Sequence, residues 1–532
     1  RPVYLLLHDG IVEFKDAAAL WEKGAIEARE MLKKMEGKSV RVVGIGPAGE
    51  NMAVTAIVQA DNDASGTGGL GAIMGSKNLK AIVVKSERKK VRVAQPERVK
   101  ELTKYFLKLP RIMASVEPVL FKTVTPEMKA EMRARWKKPD PCFGCRGCIR
   151  ILYEAEDGKT GKFMCHAGMF YQPWSVSHYG KWNDVPFQAT KLADTYGLDT
   201  KALDLIISWL HECDKAGILN DEDTGIPLSK IGSLDFIETL VHRISFREGF
   251  GDILAQGLSK AADSVGSEAQ ELARKAYYCG VPENNDLYTS RLYIPHAVYK
   301  AMEPRNPMQQ LHQLSFVISK WLAWVNKTEG ALFSSDVFRA IAKRFWGSEL
   351  AADFSTYDGK ALAARMVQDR ETVKESLVVC DYLWPIMDLV TTEDHVGDPA
   401  LESKILSAVT GNEVDEDGLN KTGARIFNMQ RAILVREGHE GKAFDTPPEL
   451  CFTEPVEAEY LNTECLVPGK NGEVISRKGA VVDRKEFATM MDEYYQIRGW
   501  DPVTGLQTRA SLEALELREV ADDLEKRGLL GN

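Results

Sequence analysis

The sequence predicts an α+β protein, with a β-rich amino-terminal domain followed by two mainly α-helical domains. The first 90 residues hold most of the strand-like apolar runs and the glycine-rich turns. Beyond them, apolar residues recur mainly at helical spacing. A chain of 532 residues has room for two or three domains. We predict these domains over residues 1–90, 91–345 and 346–532.

The composition is that of an ordinary globular protein, with a formal net charge of −9 that argues against general nucleic-acid binding. No apolar run is long enough to cross a bilayer. The nine cysteines show no regular disulfide spacing, which predicts a cytoplasmic protein with metal-bound or free thiols. Because the chain begins with Arg1 rather than methionine, we expect a further segment before it.

The first strands are predicted by short apolar runs with turn residues between them. Residues 3–7 and 11–14 flank Asp9-Gly10, a pattern typical of a β-hairpin. Residues 17–35 have helical spacing, and strands are predicted over 39–43 and 78–85.

Two glycine-rich runs follow strands in this region. Residues 44–49 read G-I-G-P-A-G, which formally matches the dinucleotide-binding fingerprint but lacks an obvious crossover helix. Residues 65–71 read S-G-T-G-G-L-G and let backbone amides approach a phosphate or a flat ring. The simpler interpretation of this second run is a set of tight turns.

A polar, basic stretch over residues 86–141 is predicted to be a helical connector that leads to three closely spaced cysteines. Cys142, Cys145 and Cys148 have C-x2-C-x2-C spacing, which favours three ligands of an iron–sulfur cluster over a structural zinc site. The ferredoxin pattern would continue with a cysteine at the position of Leu152. A fourth ligand must therefore come from elsewhere in the chain.

The run from Asp194 to Asp199 lies between two helical patterns. Gly197 suits a left-handed helix cap, and Asp199 or Thr200 suits the amino-terminal cap of the next helix. Later residues are largely helical by pattern, including 400–437, 485–495 and 510–526, with a glycine-containing loop over 458–482.

Several motifs taken together resemble the tungsten- or molybdenum-dependent aldehyde ferredoxin oxidoreductase family, from the first residues nearly to the last. The matching segments are residues 2–5, 19–21, 46–51, 68–80, 194–199 and 494–501.

The resemblance implies a metal held by two pyranopterins beside a [4Fe-4S] cluster. It matches Cys142, Cys145 and Cys148 to three cluster ligands and Cys380 to the fourth. The two pterin motifs correspond to Asp194, Gly197, Leu198 and Asp199, and to a segment that begins at Glu375. The turns beside Glu50 and Gly69 are expected to face the pterin phosphates, which Mg²⁺ can bridge. An amino-terminal segment is expected to complete the β domain.

The sequence departs from the family pattern at informative positions. The family's usual cysteine run is one residue longer, Glu375 and Val378 replace Asp and Gly in the second pterin motif, and Thr67 replaces an arginine. Cys165 stands where classical members carry a glutamate near the metal. Branches that resemble benzoyl-CoA reductases and 2-hydroxycarboxylate oxidoreductases carry a cysteine there, so Cys165 is a candidate metal ligand.

The resemblance implies oxidation of aldehydes to carboxylic acids, with ferredoxin or a small iron–sulfur subunit as electron partner. The alternatives are a 2-hydroxyacid or aromatic acyl-CoA oxidoreductase of the same family, and a zinc-stapled helical protein without redox activity. His312, His166 and His296 are candidates for proton transfer. We expect a homodimer or a hetero-oligomer.

Overall fold

The computed structural model describes residues 1–86, 91–108, 125–141, 150–163, 168, 170–279, 288–303, 310–379, 392–459 and 462–532. They form two compact units, one from Arg1–Lys90 and Val116–Asn284 and the other from Val91–Ser115 and Asn285–Asn532. The predicted division into three domains stays a prediction.

A six-stranded mixed sheet opens the first unit and confirms the α+β fold class. Its strands are β1 (Val3–His8), β2 (Ile11–Asp16), β3 (Arg41–Gly44), β4 (Val58–Ala60), β5 (Ser65–Gly66) and β6 (Leu79–Lys85). Their order is β2-β1-β6-β3-β4-β5. Strands β1 and β6 are parallel, and the other neighbouring pairs are antiparallel.

The β1–β2 hairpin is confirmed, with His8 paired to Ile11 across the turn. Asp9 has φ 49° and Gly10 has φ 82°, the two positive values that a tight primed turn requires. On the buried face of the sheet, Leu6 and Val83 pack in one cluster with Leu32 of the first long helix. This cluster anchors the sheet.

The helices of the first unit include α1 (Ala25–Glu36), α2 (Pro47–Glu50), α3 (Leu70–Ser76), α5 (Pro126–Ala134), α6 (Gln172–Tyr179), α7 (Val185–Tyr196), α8 (Thr200–Lys215), α9 (Asp221–Thr224), α10 (Leu234–Phe246), α11 (Phe250–Leu254), α12 (Leu258–Val265) and α13 (Ser267–Cys279). A second sheet has the order β7-β8-β9, with β7 (Trp136–Pro139), β8 (Ile151–Glu154) and β9 (Thr160–Phe163). The prediction of a wholly helical connector was wrong at β7, where Trp136 pairs with Tyr153 in an antiparallel ladder.

The second unit is mainly helical. Its helices include α4 (Pro96–Phe106), α14 (Pro295–Met302), α15 (Gln310–Val325), α16 (Ser335–Trp346), α17 (Lys360–Ser376), α18 (Leu401–Thr410), α19 (Glu416–Arg436), α20 (Leu450–Thr453), α21 (Arg484–Arg498), α22 (Arg509–Ala514) and α23 (Arg518–Lys526). The predicted loop over 458–482 contains a small hairpin of β10 (Leu466–Pro468) and β11 (Val474–Ser476).

Buried ion pairs hold helices of the second unit together. Arg498 of α21 binds Asp369 of α17 at 2.6 Å, and both side chains are almost inaccessible. Arg431 of α19 donates two hydrogen bonds to Asp445, at 2.8 and 2.6 Å. Among the described residues, no helix is both long enough and apolar enough to span a membrane.

Candidate cofactor site

The glycine-rich turns of the first unit pack backbone against backbone. A Cβ at Gly46 would overlap the carbonyl group of Tyr196, and a Cβ at Gly49 would lie 3.0 Å from the carbonyl oxygen of Gly71. Glycine is therefore required for close approach at these positions. Helix α2 has only 4 residues, and β3 and β4 run antiparallel. This geometry lacks the parallel crossover of a dinucleotide-binding unit, so the formal fingerprint at residues 44–49 is not such a unit, as the missing crossover helix in the sequence indicates.

The predicted turn from Asp194 to Asp199 has the caps that the sequence indicates. Helix α7 ends at Gly197, which has φ 79°. The Asp199 carboxylate accepts a hydrogen bond from the backbone N–H of Lys201 at 2.8 Å and caps α8. The carbonyl oxygen of Gly197 also accepts from the N–H of Ile57 at 2.9 Å. These bonds fix the turn against the glycine-rich loops.

A small cavity lies beside this turn, within the first unit. It is lined by Ile57, Asp63, Ser65, Thr67, Arg150, Lys162, Thr190, Asp194, Leu198, Asp199 and Thr200. The structure therefore brings together Asp194, Leu198 and Asp199, as the resemblance implies. It also brings cationic groups from Arg150 and Lys162 to the same cavity, which the sequence reasoning missed.

A chain of ion pairs runs along one wall of the cavity. The Lys191 ammonium lies 2.7 Å from Asp194 Oδ2 and 3.0 Å from Asp63 Oδ2, and Arg29 Nη2 lies 3.0 Å from Asp63 Oδ1. Burial raises the pKa of Asp194, and Lys191 opposes that rise. Burial would also raise the pKa of Asp63, but Lys191 and Arg29 outweigh it and lower this pKa.

The two ends of the three-cysteine run are fixed at the same cavity. The N–H of Asp140 donates to the carbonyl oxygen of Arg150 at 3.1 Å. Lys162 Nζ donates to the carbonyl oxygen of Pro141 at 3.1 Å, and Arg150 Nη2 donates to the carbonyl oxygen of Asp63 at 3.1 Å. Cys142, Cys145 and Cys148 lie between these ends and outside the described residues.

Glu50 and Gly69 stand in the adjoining turns. Glu50 Oε2 accepts from the backbone N–H of Glu22 at 2.8 Å, and Oε1 forms a buried ion pair with Lys80. Both carboxylate oxygens are therefore engaged in holding the turn. Gly69, with φ 77°, directly precedes α3. Their predicted roles at the pterin phosphates stay predictions.

The other predicted residues lie in the second unit or outside the described residues. Glu375 is in the last turn of α17. The His312 ring stacks on the Phe316 ring with 5.1 Å between the ring centroids, and it meets the Tyr288 ring edge-on at a centroid distance of 5.4 Å. Cys165, His166 and Cys380 lie, like the three cysteines of the run, outside the described residues. Within the described residues, no group of three or more His, Cys, Asp and Glu side chains is arranged to hold a metal ion.

Two family models match most of the chain. The model described as aldehyde ferredoxin oxidoreductase, N-terminal domain, covers residues 1–86, and that described as aldehyde ferredoxin oxidoreductase, domains 2 & 3, covers residues 119–517. The chain belongs to the aldehyde ferredoxin oxidoreductase family. The family resemblance seen in the sequence motifs is thereby confirmed.

Similar proteins include two oxidoreductases of Pyrococcus species. A tungsten-containing aldehyde ferredoxin oxidoreductase of Pyrococcus horikoshii is 28% identical over 94% of this chain and 77% of its own length. The WOR-like subunit of an aliphatic sulfonate oxidoreductase of Pyrococcus furiosus is 25% identical over 99% of this chain and 80% of its own length.

The fold is also shared with a solved complex. The active-site complex BamBC of benzoyl coenzyme A reductase, solved with 1,5-dienoyl-CoA, matches with a TM-score of 0.70 at 22% identity. The match covers 100% of this chain and 82% of that chain. This aldehyde ferredoxin oxidoreductase family member therefore has the same fold as that complex.

Proposed function

We propose that this chain is an oxidoreductase that holds tungsten or molybdenum on two pyranopterins and carries one [4Fe-4S] cluster. The observation that carries the proposal is the shared location of two motifs. The base of the three-cysteine run and the Asp194–Asp199 turn border one cavity. A cluster on Cys142, Cys145 and Cys148 would therefore lie close to a pterin bound at that turn.

The residues around the cavity fit a pterin. The Asp194 and Asp199 carboxylates are hydrogen-bond acceptors, which suit the amino and ring N–H donors of a pterin. Arg150 and Lys162 supply positive charge for its phosphate. The close-packed glycine turns hold the Asp194–Asp199 segment in place. Gly197 and Leu198 complete the motif. In this proposal the turns that contain Glu50 and Gly69 face the phosphates of the pterins, and Mg²⁺ would bind at those phosphates.

When bound, the metal centre supplies two-electron redox chemistry. We propose that an aldehyde and water yield a carboxylic acid, two protons and two electrons. Cys380 would be the fourth ligand of the cluster, which would supply one-electron transfer to ferredoxin or a small iron–sulfur subunit. Glu375 contributes to the second pterin site. His312 and His166 are the proposed proton acceptors, and the proposed setting is a cytoplasmic homodimer or hetero-oligomer.

A second candidate function has its own support at Cys165. Classical aldehyde-oxidising members carry a glutamate at this position, whereas this chain has a thiol. A thiolate ligand would lower the Lewis acidity of the metal. The likeness to BamBC extends over the whole chain. We therefore propose a 2-hydroxyacid or an aromatic acyl-CoA ester as the alternative substrate class.

Metal analysis of anaerobically purified protein tests the common part of both candidates. We expect iron together with either tungsten or molybdenum. The sample should be brown, and its visible absorbance should bleach on reduction. A colourless sample that contains only zinc would contradict the proposal and support the non-redox alternative. A viologen-coupled assay then compares aldehydes, 2-hydroxyacids and aromatic acyl-CoA esters. Turnover of aldehydes alone would exclude the second candidate.

A further inference from the structure

Asp194 is a carboxylate in a position that disfavours its charge. It lies in the last turn of α7 and is largely buried. The carboxyl end of a helix carries partial negative charge, which repels a carboxylate. Burial and the neighbouring Asp63 both raise the pKa of Asp194. An ionised Asp194 therefore needs a cation at close range.

Lys191 is that cation, one helical turn earlier on α7. Its ammonium group binds Asp194 Oδ2 at 2.7 Å and Asp63 Oδ2 at 3.0 Å. Residues three apart on a helix lie on the same face, so this contact needs no distortion of α7. Burial alone would lower the pKa of Lys191, but the two carboxylates outweigh it and raise this pKa. Lys191 consequently stays charged.

Asp63 completes a balanced set of charges. Its second oxygen binds Arg29 Nη2 at 3.0 Å, while Arg29 Nη1 donates to the carbonyl oxygen of Ala60 at 2.8 Å. Two cations thus face two carboxylates. Asp63 binds the same ammonium group as Asp194 and so gives Lys191 a second anionic partner beside that carboxylate.

Only one oxygen of Asp194 is used in this arrangement. Oδ2 binds Lys191, and no hydrogen bond from a described residue reaches Oδ1. Asp194 lines the cavity. The free oxygen is therefore available to a donor group inside the cavity, and a charged acceptor forms the stronger hydrogen bond.

We propose that Lys191 is a positioning residue that, braced by Asp63, holds Asp194 as an oriented carboxylate for the N–H donors of a pterin. This inference rests on the proposed function, which places the pterin in the cavity. The motif residues Asp194 and Asp199 touch the ring in that proposal, and Lys191 acts on the ring only through Asp194.

The first test measures the titration of Asp194 in the full chain without cofactor. The charged groups around this carboxylate are Lys191, Asp63, Arg29, Arg150, Lys162 and Asp199. Carbon-13 NMR of labelled aspartates, with Asp194→Asn to assign the signal, reports its pKa. Lys191→Met should raise this pKa by about 1–3 units. Lys191→Arg, which keeps the charge, should restore it. An unmoved titration in Lys191→Met would overturn the role of Lys191.

The second test is a double-mutant cycle on the pterin content of the anaerobically purified protein, measured by fluorescence after oxidative release. Lys191→Met and Asp194→Asn should each lower the content several-fold, and the double variant should lose no more than Asp194→Asn alone. Additive losses would overturn the proposal, since Lys191 would then act independently of Asp194. Wild-type protein without any pterin would overturn the proposed function instead.

Lys201→Met is the matched control for both tests. Lys201 binds Asp204 at 3.1 Å with the same three-residue spacing on α8 and similar burial. Its side chain does not line the cavity. This variant should leave both the Asp194 titration and the pterin content at wild-type values, and equal losses in Lys201→Met and Lys191→Met would overturn the proposal.

Discussion

Gly75 packs so tightly against the carbonyl oxygen of Gly49 that a methyl group at position 75 would overlap it. The contact joins α3 to α2 and is one of several between backbone atoms in these turns. A methyl group at position 71 would likewise overlap the carbonyl group of Ile57. Because the same turns pack on Tyr196, their spacing determines where the Asp194–Asp199 segment stands.

Gly75→Ala should therefore destabilise the first unit by more than the usual cost of losing a glycine. Backbone atoms cannot move aside as a flexible side chain can, so we expect a loss of about 3 kcal/mol or more in the free energy of unfolding. Denaturant unfolding measures it. Gly158→Ala is the control, since its φ of 79° costs strain but no atom lies within 4 Å; this variant should lose about 1 kcal/mol. Equal losses would show that the Gly49 contact is unimportant.

Lys80→Met should lower the free energy of unfolding much more than the removal of a surface lysine does. Lys80 and Glu50 are both buried, with side-chain exposures of 0% and 1%. Removing one partner leaves an unpaired buried charge, at a cost of about 3–5 kcal/mol. Lys230→Met breaks an exposed pair with Asp235 and should cost less than about 1 kcal/mol. If the two variants unfold at the same denaturant concentration, Glu50 is not held by Lys80.

Lys360 should make stability increase with pH above neutrality. Its ammonium group is buried and donates to the carbonyl oxygens of Leu350, Asp353 and Asp358 at 2.7, 2.6 and 3.1 Å. Burial lowers the pKa of Lys360 from its ordinary 10.5 to about 7. Between these values the unfolded chain binds more protons than the folded one, so the free energy of unfolding rises with pH.

Urea unfolding of wild type and Lys360→Met between pH 6.5 and 9.5 measures this effect. The wild-type stability minus that of the variant should grow with pH, by at most about 1.4 kcal/mol per unit. The same difference for Lys343→Met, which removes a 70% exposed side chain, should stay flat. A flat difference for Lys360→Met would mean that Lys360 titrates alike in both states.

Cys148→Ala and Cys380→Ala should each abolish the visible absorbance of the proposed [4Fe-4S] cluster. Each removes one of the four proposed thiolate ligands. The control is Cys213→Ala, because burial raises the pKa of the Cys213 thiol to about 12 and keeps it protonated. The iron content and the absorbance of the sulfur-to-iron charge-transfer bands should be unchanged in that control. A full cluster in either ligand variant would refute the ligand set.

Local features of the fold were predictable from the sequence because their causes are local. Asp9-Gly10 specifies its hairpin through positive φ values, and Gly197 and Asp199 specify the helix caps around the Asp194–Asp199 turn. Strand β7 was not predicted. It forms because Trp136 pairs with Tyr153 of a later strand, and a basic stretch such as 86–141 gives no sign of that pairing.

The cavity was predictable only in part. Asp194, Leu198 and Asp199 belong to one motif, so a resemblance finds all three together. Asp63 and Lys191 are 128 residues apart, and no periodicity connects them. The one local signal was the lysine three residues before Asp194, a spacing that places both on the same face of a helix.

The Asp140 N–H donates to the carbonyl oxygen of Arg150, so the described residues on the two sides of the three-cysteine run are joined directly to each other. We therefore expect a change in the number of residues between them to leave this hydrogen bond and the β8–β9 hairpin in place. A chimera with one added residue between Cys145 and Cys148 should fold as readily as the natural chain.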